Sequence, residues 1–307
     1  MKPAWSVVLF TTLAGAAQGL VVTLALAELA SLPMHTAFLA QALALAVVLL
    51  LAALVASVFH LGRPERAWRA ASMWRTSWLS REVIVLPAFI AACAGWWLAL
   101  HQGWDLPWLP WAALLLAALL WLCTAMIYAC IRFIPEWAQP LTLANFVLIG
   151  LSSGLVLACA LAAWQQQRAL LLAAAPIALA LTLAAAVSRL AALARNARLP
   201  LRSTLQSATG IHAPRVAQIS RGMTAGAFNT QEFFHGRTPA RLRQVRGFFL
   251  LFCFALPALL LVVGLVSGAA WPWVAAMLLQ APGLVAERWF FLAQARHPQN
   301  LYYQTVS

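Results

Sequence analysis

The feature that most limits what this chain can fold into is its succession of apolar stretches, each about as long as a bilayer is thick. A membrane-spanning helix needs roughly 20 mostly apolar residues. Eight stretches meet that need: 5–30, 36–59, 82–101, 110–131, 141–163, 169–193, 247–269 and 271–295. Only 9% of residues are charged and 64% are hydrophobic, whereas a soluble domain carries about 25% charged residues. One water-soluble core is therefore excluded, and lipid must act as solvent. The expected fold is all-α: a polytopic membrane protein of about eight transmembrane helices, forming two four-helix bundles within a single integral membrane domain over 1–307. The first stretch has one early basic residue, Lys2, and the apolar pattern continues far beyond it, so it reads as a membrane helix and not as a cleaved signal. Pro87, Pro176, Pro257 and Pro282 fall inside these stretches and predict local kinks. Gly15/Gly19, Gly150/Gly154 and Gly264/Gly268 have the spacing for close helix contact.

Eight helices place both termini on one side. Of the twenty Lys and Arg residues, all but Arg168 then fall on that side. The positive-inside rule makes it the cytoplasmic side of a bacterial inner membrane. Losing one helix would scramble this asymmetry, so the charge count also supports the helix count. Residues 194–246 form a long basic loop on the same side, too long for a simple connection. Such a loop must either fold on the membrane surface or hold a docking partner. The formal charge of +13 is explained by insertion, anionic membrane lipid and a docked protein, with no need for nucleic acid.

Ionisable groups beside membrane helices are costly and often functional. His60 closes the second stretch and begins the run HLGRPERAW, while Glu82 opens the third within SWLSREV. An imidazole can hydrogen-bond a quinone oxygen, and a carboxylate can exchange protons with water. Two bland readings stand beside this one. Glu82 at a helix start interacts favourably with the helix dipole, with Ser80 as the N-cap, and His60 simply occupies the headgroup layer. Gln18, Glu28 and Glu287 are read as structural, with Gln18 bonding across helices. The five cysteines form no C-x-x-C pair, so neither disulfides nor an iron–sulfur cluster is expected in this chain. None of the six histidines lies deep in a predicted helix, which argues against haem.

Three features together resemble a known family: the eight-helix layout, the HLG-x-P-x-RAW run at His60–Trp68, and the SWLSRE run at Ser77–Glu82. The chain resembles the membrane-anchor subunits of dimethyl sulfoxide reductase type over essentially its whole length. SATGIHAPRVAQISRG and GAFNTQEFFHG, within Ser207–Gly236, look like the subgroup that anchors cytoplasmic sulfite-oxidising enzymes. The resemblance implies two partners on the cytoplasmic face, an iron–sulfur subunit and a molybdopterin catalytic subunit. It implies a quinone, ubiquinone or menaquinone, bound by the anchor near the iron–sulfur subunit. The family's quinol-site histidine matches His60 and its acidic residue matches Glu82; Arg63, Arg66 and Arg81 are assistants by position. Arg215, Arg221, Asn229, Glu232 and His235 fall in the stretch that would dock the partner.

The expected function is thus the anchor and quinone-reactive subunit of a sulfite:quinone oxidoreductase in sulfur respiration, not catalytic alone. The alternatives are an anchor of a quinol-oxidising reductase, an anchor with no quinone site, and a small-molecule transporter. The last is disfavoured because the helix centres are almost purely Ala, Leu and Val.

Overall fold

The computed structural model describes residues 1–59, 63–200, 204–217 and 235–298. Among them every regular element is helical. The elements are α1 (Trp5–Leu29), α2 (Thr36–Val58), a 3-10 segment (Pro64–Met73), α3 (Trp78–Gln102), α4 (Trp108–Ala129), α5 (Pro140–Trp164), α6 (Arg168–Ala197), the short α7 (Leu205–Thr209), α8 (Pro239–Ser267) and α9 (Trp271–Ala293). Seven of these are long and apolar enough to cross a membrane: α1 to α6 and α8. The eighth long helix, α9, is 23 residues long, but Gln280, Glu287 and Arg288 make it less apolar.

The helices close into two rings. In the first, α1 packs on α2 and α4, and α3 packs on both α2 and α4. In the second, α5 packs on α6 and α9, and α8 packs on both α6 and α9. The rings meet where α1 lies along α5. These two helices are the most enclosed of the membrane-spanning set, as helices apolar all round should be. Their approach is set by glycine. A Cβ on Gly19 would lie 2.1 Å from the Gly150 carbonyl oxygen, and one on Gly154 would lie 2.0 Å from the Gly19 carbonyl carbon. Side chains at those positions would force the rings apart. Gln18 adds a polar tie, its Nε2 donating to the Ala117 carbonyl of α4 at 3.0 Å.

The second ring contains a local break. Residues Leu250–Ala255 of α8 form a π-helical turn. Pro257 has no N–H for the carbonyl four residues back, which belongs to Cys253. Gln280 of α9 supplies that donor instead, at 3.2 Å. Gly283 makes the approach possible, since a Cβ there would lie 2.4 Å from the Cys253 nitrogen. The proline that frees a carbonyl on one helix is thus answered by a glutamine and a glycine on its neighbour.

Chain start and helix end meet at one end of the molecule. The Met1 amino group donates to the Ala293 and Ala295 carbonyls at 3.3 and 2.9 Å. Tyr128, Trp137, Phe146 and Phe291 cluster there, with Tyr128 stacked on Phe146 at 5.7 Å and Trp137 donating to the Phe291 carbonyl at 3.0 Å.

Candidate functional site

The start of α3 decides the setting of Glu82. Ser77, not Ser80, is the N-cap: its backbone is extended and its hydroxyl accepts the Ser80 N–H at 3.3 Å. The helix begins at Trp78, so Glu82 lies in the second turn and not at the helix start. The helix-dipole effect fades beyond the first turn, which removes the main support for the bland reading. Glu82 is 6% exposed and faces α4, where the Thr124 hydroxyl donates to its Oε1. An ionised carboxyl has acceptor sites for several donors, yet Oε2 accepts no hydrogen bond among the described residues. No cation pairs with Glu82 among them either. A buried carboxyl with one hydroxyl partner and spare acceptor capacity can hold a proton or bind a polar head at the bundle end.

The proposed assistants lie around this point in different ways. Arg81 is committed to the chain before it: its Nε donates to the Trp74 carbonyl and its Nη2 to the Arg75 carbonyl, both at 2.9 Å. Its guanidinium also lies 4.2 Å from the Trp78 ring centre. It ties the 3-10 segment to the start of α3 and so fixes the entry angle of the helix that carries Glu82. Arg63 precedes the 3-10 segment and is exposed. Arg66 is exposed and 4.0 Å from Glu65. Neither is brought to Glu82. His60 lies outside the described residues.

In the long loop, Arg215 is exposed, and the stretch before it is ordered by a capping box in which Thr204 and Ser207 bond each other's backbone. Arg221, Asn229 and Glu232 lie outside the described residues. His235 is 7% exposed, and its Nδ1 accepts the Arg237 N–H at 3.0 Å. Desolvation, aided by the nearby Met1 amino group and Arg237, lowers its pKa to about 4, so the ring is neutral near pH 7.

A second polar centre gave no clear sign of itself in the sequence. Arg189 of α6 and Glu287 of α9 form an ion pair at 2.7 Å, and both are almost fully buried. Arg288 approaches the other Glu287 oxygen at 3.5 Å and covers the Phe146 ring at 3.9 Å. The Phe249, Phe290 and Phe291 rings surround Arg189 at 5.5 to 6.0 Å. Further along the same interface, Ser152 bonds Thr182 at 2.8 Å and Gln280 reaches Ser152 at 3.4 Å. In the sequence, Arg189 was one basic residue near a helix end. The available signal was a charge of each sign within otherwise apolar stretches, which is costly unless paired.

Eight long helices in two rings, with a buried carboxyl at one end, define an integral membrane protein with no soluble domain among the described residues. The chain matches the model of the family described as DMSO reductase anchor subunit (DmsC) over residues 1–289, and it belongs to that family. It is 45% identical to the C subunit of sulfite dehydrogenase from Allochromatium vinosum over 326 aligned positions, covering 100% of both chains. It is also 32% identical to the anaerobic dimethyl sulfoxide reductase chain YnfH of Escherichia coli over 112 positions, covering 35% of this chain and 39% of that one.

Proposed function

We propose that this chain is the membrane anchor and quinone-reactive subunit of a sulfite:quinone oxidoreductase. The observation that carries the reading is the end-to-end similarity to the sulfite dehydrogenase protein of Allochromatium vinosum, a relation that spans both chains whole. The partners are an iron–sulfur subunit and a molybdopterin catalytic subunit. They dock on the basic face, which positive-inside topology puts in the cytoplasm of a bacterial inner membrane.

A quinone supplies a carrier for two electrons and two protons. The chain's part is to hold its head and manage the protons. Glu82, buried beside Thr124 with spare acceptor capacity, holds a proton at its carboxyl and exchanges it at the bundle end. His60, three residues before the exposed Arg63, donates or accepts at the quinone oxygen. Arg81 acts as a positioning residue by tying down the chain before α3. Arg63 and Arg66, and Arg215 in the long loop, are exposed and meet an acidic partner surface; Arg221, Asn229 and Glu232 are assigned the same docking role. His235 is buried and supports the loop's base.

The test is to assay the purified complex with sulfite and two acceptors, a quinone and an artificial dye. His60→Ala and Glu82→Gln should each lower the quinone rate by about 10²-fold or more, the scale of a lost acid–base group, and leave the dye rate unchanged. Normal quinone turnover in both variants would remove the site. A wild-type complex that reduces dye but no quinone would make the chain a structural anchor only. Support against a transporter comes from the polar groups near the helix centres, which are bonded to one another: Ser152 with Thr182 and Gln280, and Gln280 with the Cys253 carbonyl.

A further inference from the structure

A groove of about 470 Å³ opens at the end of the molecule that carries Met1. It lies between the start of α1, the first turns of α8 and the second half of α9. Its floor is apolar: Val245 from α8, and Pro282, Val285 and Ala286 from α9. Trp5 and Trp289 flank it, and Arg237 and Arg241 stand at its edge. Both arginines are exposed, and no carboxylate pairs with either among the described residues. The groove is separate from Glu82, which sits between α3 and α4 in the other ring.

These features ask for one kind of occupant. A soluble anion has no use for an apolar floor. A neutral apolar molecule has no use for two guanidiniums that pair with no carboxylate among the described residues. Tryptophan is enriched at the headgroup level of a bilayer, and Trp5 at the first residue of α1 and Trp289 near the last turn of α9 put the groove at that depth. Arginine pockets between membrane helices suit phosphate headgroups. We infer that this groove is a binding site for an anionic phospholipid, its phosphate held by Arg237 and Arg241 and an acyl chain laid along Val245, Pro282, Val285 and Ala286. Bound there, the lipid joins α1 to α8 and α9 and so ties the first ring to the second at the basic end.

The test uses the full chain with whatever partner proteins copurify, delipidated and exchanged into micelles with equal phosphatidylglycerol and phosphatidylethanolamine. Retained lipid is counted by native mass spectrometry. Wild type should retain phosphatidylglycerol in preference. Arg237→Ala and Arg241→Ala should each cut that retention about fivefold, which corresponds to ~1 kcal/mol per arginine near a membrane surface. Arg69→Ala and Arg75→Ala, made singly as a control pair, each remove the same charge elsewhere and should change nothing. No preference in wild type, equal retention in the groove variants, or an equal loss in the control pair would each overturn the site. Ala286→Trp fills the groove and keeps both charges. If the arginine variants fail to assemble, loss of phosphatidylglycerol in Ala286→Trp supports the proposal and full retention overturns it. A quinone or peptide found in the groove of wild type in place of phospholipid also overturns it.

Discussion

Glu82 sits in the second turn of α3 with the Thr124 hydroxyl as its donor. Residue identity and approximate place were readable in the chain, because a lone carboxylate at the edge of an apolar stretch stands out. Its burial and its partner were not, because Thr124 is 42 residues away and nothing local links α3 to α4. Ser80 misled for a related reason: two serines precede Glu82, and only the backbone shows that Ser77 is the extended one. His235 carries the clearest pH consequence. Its folded pKa is lowered to about 4 from 6.5, so its contribution to stability is fully present above about 6.5. It is lost as pH falls towards 4, because the unfolded state takes up the proton first. The Met1 amino group, lowered to about 6 from 8.0 by burial, acts in the same sense between those values. Thermal unfolding of the detergent-solubilised chain should therefore show a midpoint that falls from pH 7.5 to pH 5. His235→Gln should be less stable at pH 7.5 and show a smaller fall. An unchanged slope would contradict the assignment.

Helices were legible as elements because runs of about 20 apolar residues have few other solutions, and the glycine spacings marked close approach without saying which helix meets which. The structure pairs Gly19 with Gly150 and Gly154 across α1 and α5. Gly154→Leu should therefore destabilise the joint between rings by about 1–3 kcal/mol or more, as over-packing does, while Gly95→Leu, which has open space around its Cβ position, should be tolerated. Folded yield and melting temperature in detergent read both. Both charges of the Arg189–Glu287 pair stood out in apolar stretches, but their pairing could not be read, since α6 and α9 lie far apart in sequence and pairing depends on their rotation about each axis. It yields a sharper test. Glu287→Leu alone leaves two buried arginines without a carboxylate and should cost about 3–5 kcal/mol, while Arg189→Met leaves Glu287 to Arg288 and should cost less. The double replacement should be more stable than Glu287→Leu alone, since only Arg288 is then left without its carboxylate. A double variant as unstable as the sum of the singles would contradict the pair and assign those side chains another task.

On the scale of the whole molecule, the two rings present different faces at the same end. The first offers Glu82 beneath the exposed, arginine-rich 3-10 segment. The second offers the base of the long loop, with His235 folded inward and Arg237 and Arg241 beside an apolar groove. In the proposed complex the first face meets the electrons and the second holds the partner and lipid. Family membership rests on residues 1–289 and the sulfite reading on similarity to the Allochromatium vinosum protein, whereas quinone reactivity rests on chemistry that the complex must perform. That chemistry is tested most directly by a single-turnover measurement on the purified complex. Its iron–sulfur clusters are reduced with sulfite and then mixed rapidly with a short-chain quinone while cluster reoxidation is followed spectroscopically. The account predicts fast reoxidation in wild type and clusters that stay reduced in Glu82→Gln. Equally fast reoxidation in both, or sulfite that leaves the clusters oxidised, would contradict it.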